Sequence, residues 1–432
     1  MTSAPEPRAE AASGGRVLGF WSLLTLGING IVGVGIFLAP AELAKAVPGS
    51  ASALAFLITA VLLLPVAWTY GRLGSAYPED GGPYVWAREA LGERFAFGVG
   101  FVAFVSAVLS TSAIVSALGQ YLAPELGFDS SVARWLFRLV AALVFSGVAL
   151  SGLRLSAWVW SALTLLKLVP LAVLAWAGAS QLFVHEAAGV TPLSAPSLTR
   201  AALLAVFPLQ GFEIVPVPAR EVRGGRSSVF AATLLSLGFA AVLYVLVQLA
   251  CVRALPQLAN SAAPVVEAGA HYTRGALRGL FAAGANISAI GIAFGMFAMT
   301  PRYLAALGTD SLLGRELSRE QRGVPARALA VTTALVLALV SSSALFSLIV
   351  LSSLAVLLQY GVSAVSLYRL AARGERQLGR GDRLLAPLTL LAIAALVQAA
   401  ELIELLSLAG ILVGGFALVR LRRALASPPG AR

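Results

Sequence analysis

Long apolar runs alternate along the chain with short polar breaks. They fall at 17–46, 51–72, 95–122, 133–151, 156–183, 199–219, 227–252, 277–304, 325–344, 346–370, 384–400 and 402–421. A helix needs about 20 apolar residues to cross a bilayer. The pattern therefore predicts an all-α integral membrane protein with about twelve membrane helices. A polar tail over 1–16, rich in Ala, Pro, Glu and Ser, precedes the first run. It lacks the ordering of a cleavable signal peptide, so the first run is expected to stay in the mature protein. The longer loops, at 73–94, 253–276 and 305–324, do not have the composition of folded domains. One membrane domain over 17–423 is expected.

Composition agrees with the pattern. Of 432 residues, 59% are hydrophobic and 12% charged, and mean hydropathy is +0.87. A soluble domain carries about 25% charged residues, so this surface does not face mainly water. The single cysteine, Cys251, forms no internal disulfide, and the separated His185 and His271 leave no metal cluster. Neither metal nor cofactor is expected.

The formal charge of +11 is explained by position. With the N-terminus inside, 23 of the 31 cations fall on inner segments, 7 fall on the opposite side, and the remaining one, Lys167, lies deep inside a run. That bias places both termini in the cytoplasm and implies an even number of spans. Basic loops facing anionic inner-leaflet lipid account for the charge. Nucleic acid is not an expected partner, because no loop interleaves basic and aromatic residues.

Two runs carry helix-breaking residues. The first contains Asn29-Gly30-Ile31-Val32-Gly33-Val34-Gly35-Ile36-Phe37 before Pro40, and the sixth contains Phe207-Pro208-Leu209-Gln210-Gly211-Phe212-Glu213 followed by Pro216 and Pro218. Glycine weakens a helix, and proline removes a donor and clashes with the preceding turn. Both runs are expected to unwind near the bilayer midplane. Unpaired backbone there must be buried or line a site. Breaks five runs apart point to an inverted-repeat transporter, with repeats at 17–183 and 199–370 and two further helices over 384–421. A half-helix starting near Gly35 offers amides and a positive dipole end to a carboxylate. A half-helix ending near Phe207 offers carbonyls and a negative end to an ammonium group. A zwitterion such as an α-amino acid matches both.

Lys167 lies more than ten residues from either end of its run, so it should face the bundle interior and mark an ion or proton pathway. The chain uses arginine for 29 of its 31 cations. Arginine does not give up its proton, whereas a desolvated lysine can. Lysine at this one buried position is therefore the candidate proton-coupling group. Three roles are open to Glu213: titration, binding a cationic substrate group, or holding free amides in the break. Glu42 with Lys45 reads as a solvated pair, and Glu401 and Glu404 are expected to be solvated in an outer turn.

These residues resemble the amino acid-polyamine-organocation (APC) family of permeases, and within it the bacterial amino acid permeases. The likeness rests on Gly30 to Phe37, on Pro78-Glu79-Asp80-Gly81-Gly82-Pro83-Tyr84-Val85-Trp86, and on Gly211-Phe212-Glu213 followed by Glu221-Val222-Arg223. Leu255-Pro256-Gln257-Leu258-Ala259 with Pro264 and Thr300-Pro301-Arg302 extend it. The resemblance implies a five-plus-five, leucine-transporter-type fold with two extra helices. It implies a substrate carboxylate on the amides around Val34 and Gly35, and an amino group on carbonyls near Ile31, Phe207 and Pro208. Gly33, Leu209 and Gly211 complete the implied site. In proton-coupled relatives a span-five lysine, matched by Lys167, touches span one and a span-eight hydroxyl, for which Ser288 is the candidate. Val34 stands where many relatives have Ser or Thr, Pro208 is unusual at the break, and Gly224-Gly225 replaces the usual Asn-Pro.

No His-Glu-x-x-His, Gly-x-Ser-x-Gly or acid–base cluster suggests an enzyme, and nothing resembles a channel filter. A membrane-embedded sensor is a remoter alternative, since no soluble output domain is apparent. The expected function is amino acid transport by alternating access in the cytoplasmic membrane, as proton symport or as exchange of amino acids or amines.

Overall fold

The computed structural model describes residues 19–77, 82–152, 157–180, 194–216, 222, 226–309, 313–321, 323–342 and 344–426. The tail, residues 78–81 of the Pro78–Trp86 motif, and the Gly224-Gly225 pair lie outside them. Among the described residues the chain is all-α. Its helices are α1 (Phe20–Ile31), α2 (Gly35–Ala46), α3 (Ser52–Ala76), α4 (Pro83–Leu91), α5 (Glu93–Glu125), α6 (Ser131–Leu150), α7 (Ala157–Ser180), α8 (Ala195–Leu209), α9 (Arg226–Ala254), α10 (Pro264–Tyr272), α11 (Arg278–Thr309), α12 (Ala326–Ser342), α13 (Leu345–Ala372), α14 (Arg380–Val397) and α15 (Leu402–Ala426).

Seven of these helices are long and apolar enough to cross a membrane, and nine spans result if each bent pair counts as one. Twelve apolar runs were expected from the sequence. The difference lies in short or interrupted elements: α8 stops at Leu209, α12 has 17 residues, and α14 is followed by α15 across a 116° bend. Two short helices, α4 and α10, occupy loops that the hydropathy pattern left without structure. Each starts with proline in its first turn, where the missing N–H costs nothing.

Helix neighbours repeat with an offset of five spans. The contact of α5 with α13 has its counterpart in α11 with α7, and α5 with α6 in α11 with α12. The short helix α4 lies on α5 and α13, as α10 lies on α11 and α7. At the centre α3 packs on α9, and the two interrupted elements pack on one another, α2 on α8 and α1 on the turn at Phe212–Ile214.

Helices α14 and α15 are tied to the bundle at both ends of α14. Arg72 of α3 donates from Nε and Nη2 to the two carboxylate oxygens of Asp382, at 2.7 and 2.8 Å, and Asp382 also accepts from the Gly379 amide at 2.9 Å. At the other end Arg200 of α8 makes a two-pronged pair with Glu404, at 2.6 and 2.7 Å. Glu404 is thus not the solvated group expected from its place in a turn: its side chain is 15% exposed, while Glu401 is 66% exposed. Arg200 reaches across to the turn, donating also to the Ala399 carbonyl at 3.3 Å. Tyr77, just past α3, donates to Glu375 at 3.0 Å, and burial together with that carboxylate pushes its hydroxyl pKa up.

Hydrogen bonds to charged groups contribute about 1.5–3 kcal/mol each. We therefore expect Asp382→Asn to lower stability by about 1–3 kcal/mol, read as a fall in the thermal midpoint in detergent. An unchanged midpoint would mean that Arg72 and Asp382 do not clamp α14.

Candidate functional site

The first break is a short bend between α1 and α2, whose axes diverge by 47°. The last regular bond of α1 runs from Val32 N–H to the Ile28 carbonyl at 2.8 Å. Beyond it, the carbonyls of the final turn need other donors. Two come from distant helices. Lys167 Nζ of α7 donates to the Asn29 carbonyl at 3.0 Å, and the Tyr244 hydroxyl of α9 donates to the Ile31 carbonyl at 2.9 Å. A carbonyl has two lone pairs, so Ile31 keeps one. Helix α2 restarts at Gly35, with Phe37 N–H bonded to the Val34 carbonyl at 3.1 Å. Its first amides and positive dipole end thus lie at the bend.

The second break lies two residues later than the proline suggests. Helix α8 runs through Pro208 to Leu209, and Gln210 N–H bonds to the Val206 carbonyl at 2.9 Å. Gly211 then takes φ +121°, a conformation that side chains strongly disfavour. Its amide would bond to the Phe207 carbonyl if the helix continued; it instead donates to Glu213 Oε2 at 2.7 Å. The Phe207 carbonyl loses its helical donor as a result. Glu213 Oε2 also accepts from the Tyr360 hydroxyl of α13 at 2.9 Å. The carboxylate thus caps the break and ties it to α13, the last of the three roles open to it from the sequence.

The two breaks touch. A Cβ on Gly30 would lie 2.8 Å from the Gly211 carbonyl, and one on Gly35 would lie 2.8 Å from Pro208 Cα and 3.3 Å from Phe207. Gly35, Phe207 and Pro208 line a cavity of ≈ 20 Å³, together with Leu38, Glu42 and Phe346. Ile31, Val34 and Leu209 are buried around the junction, and Gly33 packs on Ile292 of α11. At the rim Glu42 and Lys45 pair at 2.5 Å, with the lysine side chain 52% exposed.

On the far side of α1, Lys167 is 3% exposed and Ser288 1% exposed. Both line a second cavity of ≈ 10 Å³ with Asn29, Leu163, Ile287, Gly291 and Ile292. The Ser288 hydroxyl is buried without a partner among the described residues. Such a cavity has room for about one water. The residues proposed from the sequence thus fall into two groups, one at the junction of the breaks and one behind the span-one bend.

Sequence reasoning passed over several polar groups that the fold brings here. Tyr70 of α3 accepts from Gln359 at 3.0 Å and from Ser363 at 3.2 Å, and stacks edge-on against Trp86, Phe212 and Tyr360. Gln210 reaches Ser110 of α5, which pairs with Ser352 of α13. The available signal was a polar side chain inside an apolar run, which needs a partner once buried. Tyr70, Tyr244, Tyr360 and Gln210 all carry it.

The sequence profile of the amino acid permease family matches residues 18–414. An uncharacterised transporter of Mycobacterium tuberculosis is 29% identical over 414 residues, covering 94% of this chain and 91% of that protein. The serine/threonine exchanger SteT of Bacillus subtilis is 25% identical over 290 residues, covering 65% of this chain and 64% of SteT. The branched-chain amino acid permease BcaP of the same organism is 25% identical over 325 residues, covering 70% and 69%.

Proposed function

This chain belongs to the amino acid permease family, so it is a membrane transporter and not an enzyme, and on that premise we propose that it moves an amino acid across the cytoplasmic membrane together with a proton, by alternating access. The observation that carries the coupling is the placement of Lys167. Its ammonium group caps the Asn29 carbonyl at the bend and shares a small cavity with the unpaired Ser288 hydroxyl. A proton gained or lost at Lys167 changes the bond that holds α1 to α7, and so biases the conformation of the first break.

In this reading the substrate carboxylate takes the amides around Val34 and Gly35. The ammonium group takes the remaining lone pair of Ile31 and the carbonyls of Phe207 and Pro208. Gly33 and Gly211 let neighbouring groups approach closely, and Leu209 lies buried beside them. Glu213 keeps the second break open, and its carboxylate is already occupied by Gly211 and Tyr360. That favours a neutral substrate. The arginine bias puts both termini in the cytoplasm of a multi-pass protein whose basic end faces anionic lipid.

Exchange is the second reading, and the name of SteT favours it. Uptake by proteoliposomes separates the two. Symport predicts accumulation from an acidic exterior into empty vesicles, collapsing when a protonophore is added. Uptake only into vesicles preloaded with amino acid, indifferent to the pH gradient, would replace symport with exchange.

A further inference from the structure

Gln210 ends α8 beside the junction of the breaks, and the backbone of neither break requires its side chain. Its backbone leaves the helix in an extended conformation, ψ 160°. The amide Nε2 donates to Ser110 Oγ at 3.4 Å. With that lone pair used, the Ser110 hydroxyl is free to donate onward to Ser352 at 2.6 Å. The three residues form a short hydrogen-bonded row across α8, α5 and α13. Its end is incomplete: Gln210 Oε1 is buried and has no partner among the described residues. Exchanging the amide's O and N leaves the NH2 group unpaired at the same place, so the demand for a partner does not depend on that assignment.

A buried, unpaired polar atom is a cost that a bound group can remove. We infer that Gln210, backed by Ser110 and Ser352, reads the substrate side chain and selects a small neutral amino acid bearing a hydroxyl or a carboxamide. The inference rests on the reading of this chain as an amino acid transporter. Three features support it. The row carries no formal charge, and the neighbouring Glu213 carboxylate is already bound, so nothing in the row offers a counter-ion to a charged side chain. Hydroxyl and carboxamide groups both donate and accept, and so satisfy either face of the Gln210 amide. The close approach of Gly35 to Pro208 and of Gly30 to Gly211 keeps the site small. An apolar side chain of equal size would leave Oε1 unpaired, and a site built around a hydrogen bond discriminates strongly against the analogue that lacks it.

The test uses near-isosteric pairs: L-threonine against L-valine, and L-asparagine against L-leucine, each as labelled substrate with the full chain in proteoliposomes. The native protein should favour threonine and asparagine by about tenfold or more in apparent affinity. Gln210→Met, similar in size but unable to make the bond, should bring both ratios to within about threefold, chiefly by weakening threonine and asparagine. Ser110→Ala, a milder change, should lower both ratios in the same direction. Native ratios near one would overturn the inference while leaving amino acid transport standing. So would an equal loss for all four substrates in Gln210→Met, because Gln210 would then serve the shared ammonium or carboxylate. Failure of every amino acid to enter would instead remove the transport reading itself.

Discussion

Lys167→Gln should retain amino acid binding and lose uptake driven by a pH gradient. Glutamine keeps a donor within reach of the Asn29 carbonyl, which Lys167 now holds at 3.0 Å, but it cannot carry a proton on and off. With an acidic exterior, gradient-driven accumulation by the variant should fall to the level of empty liposomes. Binding, followed by ligand-induced thermal stabilisation, should persist, since ligand at about 100 times its dissociation constant adds about 2.7 kcal/mol. Lys167→Ala should do worse. It leaves the Asn29 carbonyl without its donor in a nearly dry cavity, at a cost of about 1–3 kcal/mol. Native accumulation by Lys167→Gln would remove Lys167 from the coupling mechanism and leave it as a cap for the bend.

The second large effect is expected at Gly211. Its φ of +121° is a conformation that side chains rarely adopt, and a Cβ there would meet the Gly30 carbonyl and the Ile31 amide across the junction. Left-handed backbone costs a non-glycine residue about 1–2 kcal/mol, and overpacking adds about 1–3 kcal/mol. Relief means either separating the two breaks or straightening the turn that Glu213 caps. Gly211→Ala should therefore cut the initial uptake rate by about a hundredfold, corresponding to roughly 2.7 kcal/mol. Gly147→Ala in α6 is the control, since a Cβ there meets nothing within 4 Å. Near-native uptake by Gly211→Ala would show that the breaks are not closely packed during transport.

Much of this arrangement was legible in the sequence because it follows from local chemistry. Apolar length gave the membrane helices, and clustered glycine and proline gave the two breaks. Lys167 stood out because a charge in an apolar run is expensive. What was hidden depends on long-range pairing. Tyr244 is 213 residues from the carbonyl it caps, and Tyr360 is 147 residues from Glu213. No spacing rule links such positions. The second break was misplaced by two residues for a different reason. Proline removes a donor but does not end a helix by itself, and α8 continues through Pro208 until the Gly211 amide turns to the Glu213 carboxylate. Glu404 was misjudged because place in a turn says nothing about which helix folds over it.

The clamps on the C-terminal helices also impose an order on synthesis. Arg72 leaves the ribosome 310 residues before Asp382, and Arg200 leaves 204 residues before Glu404. At translation rates of about 5–20 residues per second, each arginine waits roughly ten seconds to a minute for its carboxylate. Until then neither arginine has the carboxylate that it clamps in the finished fold. A chain that stalls before residue 382 makes neither clamp. Both clamps therefore close only once the chain has been made past residue 404.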